Sequence, residues 1–170
     1  GMTMAKDQRL QILSRANRLF RKGHPDSAVL EYQKLLDIFP DDLEVRRITG
    51  DLLLNLDRLE EAMEHFRRLA DYYLEDEHGK PRAIAVYKRM IMVRKDNLAI
   101  MSKLADLYMD VKLIAEAIPL YRQLAESYKE KNETDKSLEI YKKILAHSPE
   151  DVLVLGELGR IYLDLEEYDK

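Results

Sequence analysis

The chain has 170 residues, no cysteine, 46% hydrophobic and 35% charged residues, and a formal net charge of −4. This composition excludes a disulfide framework and thiolate metal or redox chemistry, and its interspersed charges offer no basic block for nucleic acid or anionic lipid. No apolar run approaches the roughly 18 residues of a membrane span and no secretory leader is visible, so a cytoplasmic location is expected.

Apolar residues recur with helical period throughout, and no window alternates as a strand would. In chain order the pattern predicts nine helices, over roughly 7–22, 25–38, 43–56, 58–77, 80–94, 98–111, 114–131, 134–147 and 152–164. Lys22-Gly23-His24-Pro25 breaks the first. Phe39-Pro40-Asp41-Asp42, Lys95-Asp96-Asn97 and Ser148-Pro149-Glu150-Asp151 place capping side chains ahead of later helices. His78-Gly79-Lys80-Pro81 is a Gly stop followed by a Pro start, and Asn132-Glu133-Thr134-Asp135 stands in the same place further on. Pro119 falls past the first turn of its helix, where it predicts a kink or a late helix start. Every link is short, so neighbouring helices should pack antiparallel.

The nine helices fall into similar triplets. Gly50, Ala62, Phe66, Leu69 and Tyr73 recur in the same order and spacing as Ala105, Ala117, Tyr121, Leu124 and Tyr128. Ala83 and Tyr87 recur as Ser137 and Tyr141, one position short of the same interval. A fixed period, here about 55 residues, means one helical unit repeated. Its units run over roughly 7–56, 58–111 and 114–170, within a single repeat domain.

A shorter pattern, of about 34 residues, lies inside the triplet. Residues 9–42 supply Ala16, Gly23, Ala28, Tyr32, Leu35 and Pro40. Residues 43–76 supply Gly50, Leu53, Ala62, Phe66 and Leu69, and residues 98–131 supply Leu104, Ala105, Tyr108, Ala117, Tyr121 and Leu124. Small residues let two helix backbones approach, and the aromatic and Leu fill the groove above them. In this the chain resembles the tetratricopeptide repeat (TPR) family. The resemblance implies an all-α, right-handed solenoid of antiparallel helices that binds other proteins, with no cofactor and no catalysis of its own.

The chain departs from ordinary tandem repeats in one respect. Ala62 and Ala83 stand much closer together than successive motifs of about 34 residues would place them. We therefore expect the helix at 58–77, and its copy at 114–131, to serve two motifs, closing one and opening the next. That makes the unit a three-helix one.

No catalytic or metal motif emerges. Glu75-Asp76-Glu77-His78 has the Glu-x-x-His spacing of a carboxylate metal site, but it is single and reads as a solvated acidic helix end. His65 lies one helical turn after Glu61, an ordinary surface pair. Most of the ten tyrosines occupy repeat slots and read as core. Lys88-Arg89 and Lys142-Lys143 recur in two triplets and read as a solvated face.

The resemblance also directs attention to the first helices of successive motifs, whose inner faces carry ligands in this family. The Lys, Asn and Arg clamp that many members use for chaperone tails is absent; only Asn17 matches. The inner face instead offers Asn17, Arg21, Arg47, Asp51, Asn55, Ser102, Asp106 and Asp110, mixed at one end and acidic at the other. A basic or polar partner segment would suit the acidic end. The last copy breaks off one turn into a helix, leaving Leu155, Leu158, Ile161, Tyr162 and Leu165 without a neighbouring repeat. Either further repeats of a longer protein or a second copy of the chain, in a homodimer, would cover that face. The expected function is a scaffold or adaptor for a protein or peptide partner on the inner face. The alternative is an oligomerisation module acting through the terminal face, as in bacterial secretion, pilus or motility assemblies.

Overall fold

A computed structural model describes residues 2–168, with side chains over residues 3–167. Among the described residues the helices are α1 (Met2–Arg21), α2 (Pro25–Ile38), α3 (Leu43–Asn55), α4 (Leu59–Leu74), α5 (Lys80–Val93), α6 (Leu98–Asp110), α7 (Ile114–Glu130), α8 (Thr134–His147) and α9 (Val152–Tyr168). The described residues contain no strand, and none of their helices is long and apolar enough to cross a membrane. Two compact units result, the first ending at Val93 and the second beginning at Arg94.

The caps lie where the polar residues stand. Asp42 accepts from the Val45 N–H at 3.2 Å and Asn97 from the Ile100 N–H at 3.1 Å. Asp151 accepts from the Val154 N–H at 3.2 Å. Each satisfies a helix N-terminal donor that would otherwise lack a partner. Four helix ends close by one device. Gly23, Asp57, Lys112 and Asn132 have φ of 83°, 59°, 66° and 61°, a left-handed residue just beyond the helix. The N–H of the next residue then reaches back to the last turn: His24 to Leu19, Arg58 to Leu53, Leu113 to Tyr108 and Glu133 to Tyr128.

In the first unit, α1 pairs with α2 and α3 with α4, but α4 packs equally against α5. In the second, α7 packs against both α6 and α8. The small residues Ala62, Ala70 and Ala83 are wholly buried in the first unit, and Ala105, Ala117 and Ala125 in the second, which is what lets one helix serve two neighbours. The turn at Asn132, between α7 and α8, also has the same left-handed closure as the turn between α1 and α2. Toward α8, then, α7 behaves as the first helix of a pair. Arg122 of α7 grips the capping Asp151 at 2.6 Å, as Arg9 of α1 grips the capping Asp42 at 2.5 Å.

Two local expectations change and a third narrows. Helix α4 stops at Leu74, and the acids after it turn: the Asp76 carboxylate accepts from the His78 N–H at 3.0 Å. Helix α7 does not start late, because Pro119 lies inside it. The carbonyl that Pro119 cannot serve belongs to Ala115, and both residues are exposed, so water can take that carbonyl. His65 is not simply a surface pair of Glu61, which acts on it only through space. It is half-buried beside Arg46, while Glu61 holds Arg58 at 2.5 Å.

Candidate functional site

Each unit builds a trough on its shared helix. In the first, α4 supplies a floor of Phe66, Leu69 and Tyr73, flanked by Arg47 of α3 and by Arg82, Val86 and Arg89 of α5. The cavity is about 340 Å³. The Arg89 guanidinium lies 5.1 Å from the Phe66 ring centre and that of Arg82 lies 5.9 Å from Tyr73. These are cation–π contacts that hold two long side chains over the floor. Asp51 of α3 takes both Arg47, at 3.2 Å, and Arg89.

The second unit repeats the arrangement. Lys143 of α8 lies 5.6 Å from the Tyr121 ring and Lys136 lies 5.5 Å from Tyr128. Asp106 of α6 occupies the place of Asp51 and meets Lys143 at 3.4 Å. One substitution separates the two. Tyr121 donates its hydroxyl to Asp106 at 2.5 Å, whereas Phe66 has none to give Asp51. Asp51 is therefore left to two arginines. Burial first, and then Asp106, hold the Tyr121 phenol well above its ordinary range. The second cavity, about 460 Å³, is lined by Asp106, Met109, Asp110, Tyr121, Lys143 and His147.

The structure distributes the inner-face candidates as follows. Asn17 is exposed on α1 and accepts the Tyr32 hydroxyl at 2.6 Å. Asp51 and Asn55 share a cavity of about 190 Å³ with Phe20, Tyr32, Ile48 and Leu52. Arg47 and Asp51 border the α4 trough, while Arg21 is exposed at the end of α1. In the second unit Asp106 and Asp110 line one cavity, and Ser102 is half-buried on α6. Of the terminal residues, Leu158 and Ile161 are buried, and Leu155, Tyr162 and Leu165 are exposed. Sequence reasoning missed Arg82, Arg89, Lys136 and Lys143 as trough residues. Their signal was present: Arg82 and Arg89 recur in the second unit as Lys136 and Lys143, one position short of the interval of the aromatics they cover.

Two family models match, both for the tetratricopeptide repeat, over residues 13–73 and 120–151, together more than half of the chain. The chain belongs to the tetratricopeptide repeat family. The second match of this TPR protein opens within α7 and runs through α8, so it too takes α7 as the first helix of a pair. No curated protein sequence matches it. Similar solved structures include the MamA protein, 19% identical over 83% of this chain and 92% of that one, with a TM-score of 0.38. TTC0263, a thermophilic TPR protein of Thermus thermophilus, is 18% identical over 91% of this chain and 99% of that one, with a TM-score of 0.33. YrrB, a TPR protein with an unusual peptide-binding site, is 15% identical over 87% and 90%, with a TM-score of 0.33. At this level the likeness says nothing of what the present chain binds.

Proposed function

We propose that this TPR protein is a non-catalytic interaction scaffold whose first-unit trough takes an extended partner segment. The segment would carry a large apolar side chain beside a carboxylate. The observation that supports this is the make-up of the trough: an apolar floor, three arginines on its rim, and Asp51 as the single acid lining two of them. Phe66 and Leu69 are already buried, with Arg89 leaning over the Phe66 ring, so an incoming apolar side chain would have to part the arginines to reach the floor. A carboxylate can then replace Asp51 as partner of Arg89 or Arg47, a planar pairing that guanidinium favours. The second-unit cavity, with Asp106 and Asp110 facing Lys143, suits a polar or basic segment.

Selection of random displayed peptides on the immobilised protein tests this reading. Sequences pairing a large apolar residue with Asp or Glu should be enriched, and Arg89→Glu or Arg82→Glu should abolish their binding. Enriched peptides that bind both variants as well as wild type would end it. A second reading, self-association, is favoured by α9, where Val152, Leu153 and Leu163 join Leu155, Tyr162 and Leu165 as exposed apolar residues. Light scattering tests it: a strict monomer at high concentration rules it out.

A further inference from the structure

Arg46 is only 3% exposed, yet it has no ion-pair partner among the described residues. Its Nη2 donates to the Pro40 carbonyl at 2.8 Å, and its Nη1 lies 3.3 Å from His65 Nδ1. Its Nε–H finds no acceptor. Glu64, an acid close enough to act on it through space, is held by Arg67 at 2.7 Å and Arg68 at 3.2 Å. A guanidinium cannot shed its charge, and a buried charge without a counter-ion is strongly disfavoured.

The repeat itself shows that this charge is not needed for packing. The same position is Ile12 in the preceding short motif and Met101 in the following triplet. Both are buried, at 8% and 2% exposure. The surroundings change with it: Glu64, His65 and Arg68 correspond to Pro119, Leu120 and Gln123. The polar cluster is thus peculiar to the first unit. There it borders a cavity of about 440 Å³ between α2, α3 and α4, lined also by Gln33 and Asp37. Because an Arg46 N–H faces Nδ1 of His65, the ring proton belongs on Nε2, which makes that nitrogen a donor.

We propose that this cavity binds an oxoanion, a carboxylate or phosphate group, as the missing counter-ion of Arg46, with Arg68 and His65 as further donors. The cavity shares no residue with the α4 trough, so the proposal stands apart from the peptide reading. Its volume leaves room for the molecule that carries the anionic group. Asp37 and Glu64, which also lines the cavity and already holds Arg68 at 3.2 Å, oppose it and set a limit on affinity.

The test is thermal unfolding of the full chain in sodium phosphate and in sodium acetate, against chloride at matched ionic strength. It is paired with the NMR signal of the Arg46 Nε–H. A saturable rise in Tm and a shift of that signal are expected with phosphate or acetate; which of the two acts separates a tetrahedral from a planar ligand. Arg46→Met should fold, since Met101 fills the equivalent place, and should lose the response. Arg68→Gln should weaken the response about tenfold, the loss of one charge-assisted contact, and Asp37→Asn should strengthen it. No response beyond chloride overturns the proposal, as does an undiminished response in Arg46→Met. Should Arg46→Met fail to fold, an unchanged response in Arg68→Gln overturns it.

Discussion

Tyr121→Phe removes one hydroxyl and leaves the ring, and the chain has already tried the result, because Phe66 holds the same place in the first unit. The ring should pack unchanged, since Tyr121 is 2% exposed and Phe66 1%. What is lost is the 2.5 Å bond to Asp106. A hydrogen bond to a charged acceptor contributes about 1.5–3 kcal/mol in a protected site. Asp106 is not protected: its side chain is 48% exposed and Lys143 also reaches it. Water and Lys143 replace much of the contact, so the expected cost is about 1 kcal/mol, or roughly 2–4 °C in Tm for a chain of this size.

The same bond has an alkaline signature. The folded protein holds the phenol proton more tightly than the unfolded chain does, so the stabilisation is complete below the ordinary value of 10.0. It is lost as pH rises through the raised folded value. Calorimetric melts of wild type and Tyr121→Phe should therefore differ by a constant amount from neutral pH up to about 10, and converge as pH rises beyond it. Asp106→Asn closes a double-mutant cycle. Equal Tm values at neutral pH, or zero coupling between the two changes, would refute the argument.

Further outcomes are expected elsewhere in the chain. A Cβ on Gly79 would sit 1.7 Å from the Tyr73 carbonyl oxygen, so Gly79→Ala must open the α4–α5 turn, costing about 1–3 kcal/mol in urea unfolding. Gly156→Ala, with nothing within 4 Å of its Cβ, should instead stabilise α9 by up to about 1 kcal/mol. Burial, then Arg46 and Arg68, depress the His65 pKa below its usual 6.5, so its contribution to stability is present above that pH and lost as pH falls through the folded value; His65→Gln should flatten the decline on the acid side of a stability–pH profile. Ser137→Ala removes a bond of 2.9 Å to the Ala125 carbonyl, yet Ala83 fills that place in the first unit, so denaturant midpoints should change by less than the equivalent of about 0.5 kcal/mol.

The helices were legible because their ends are written in local chemistry. Asp42, Asn97 and Asp151 cap, Gly23 and Asn132 turn, and these need no tertiary information. The double use of α4 was legible from the short spacing of Ala62 and Ala83. The trough was only half legible. Lys88-Arg89 and Lys142-Lys143 recur visibly, but adjacent helical residues point about 100° apart, and spacing alone does not say that Arg89 and Lys143 are the ones leaning over the rings. His65 was misread for a related reason. Its local neighbour Glu61 is visible in sequence, while Arg46, distant along the chain, becomes its neighbour only when α3 and α4 pack. Leu158 and Ile161 looked uncovered because the face that α9 turns to the second unit could not be told from its outer face.

A helix that belongs to two pairs alters where the molecule can be cut. In a plain array of helix pairs, each junction between pairs is a tolerated breakpoint, and a gene can grow or shrink by one pair at a time. Here a break after α4 strips it of about half its packing, and a break before it strips α3 of its main partner. The smallest piece expected to be duplicated, deleted or transplanted without exposing a seam is therefore three helices long. Lengthening such a protein by one module therefore means copying about 55 residues where a plain array copies about 34, and a library of truncations should show soluble products spaced at the longer interval.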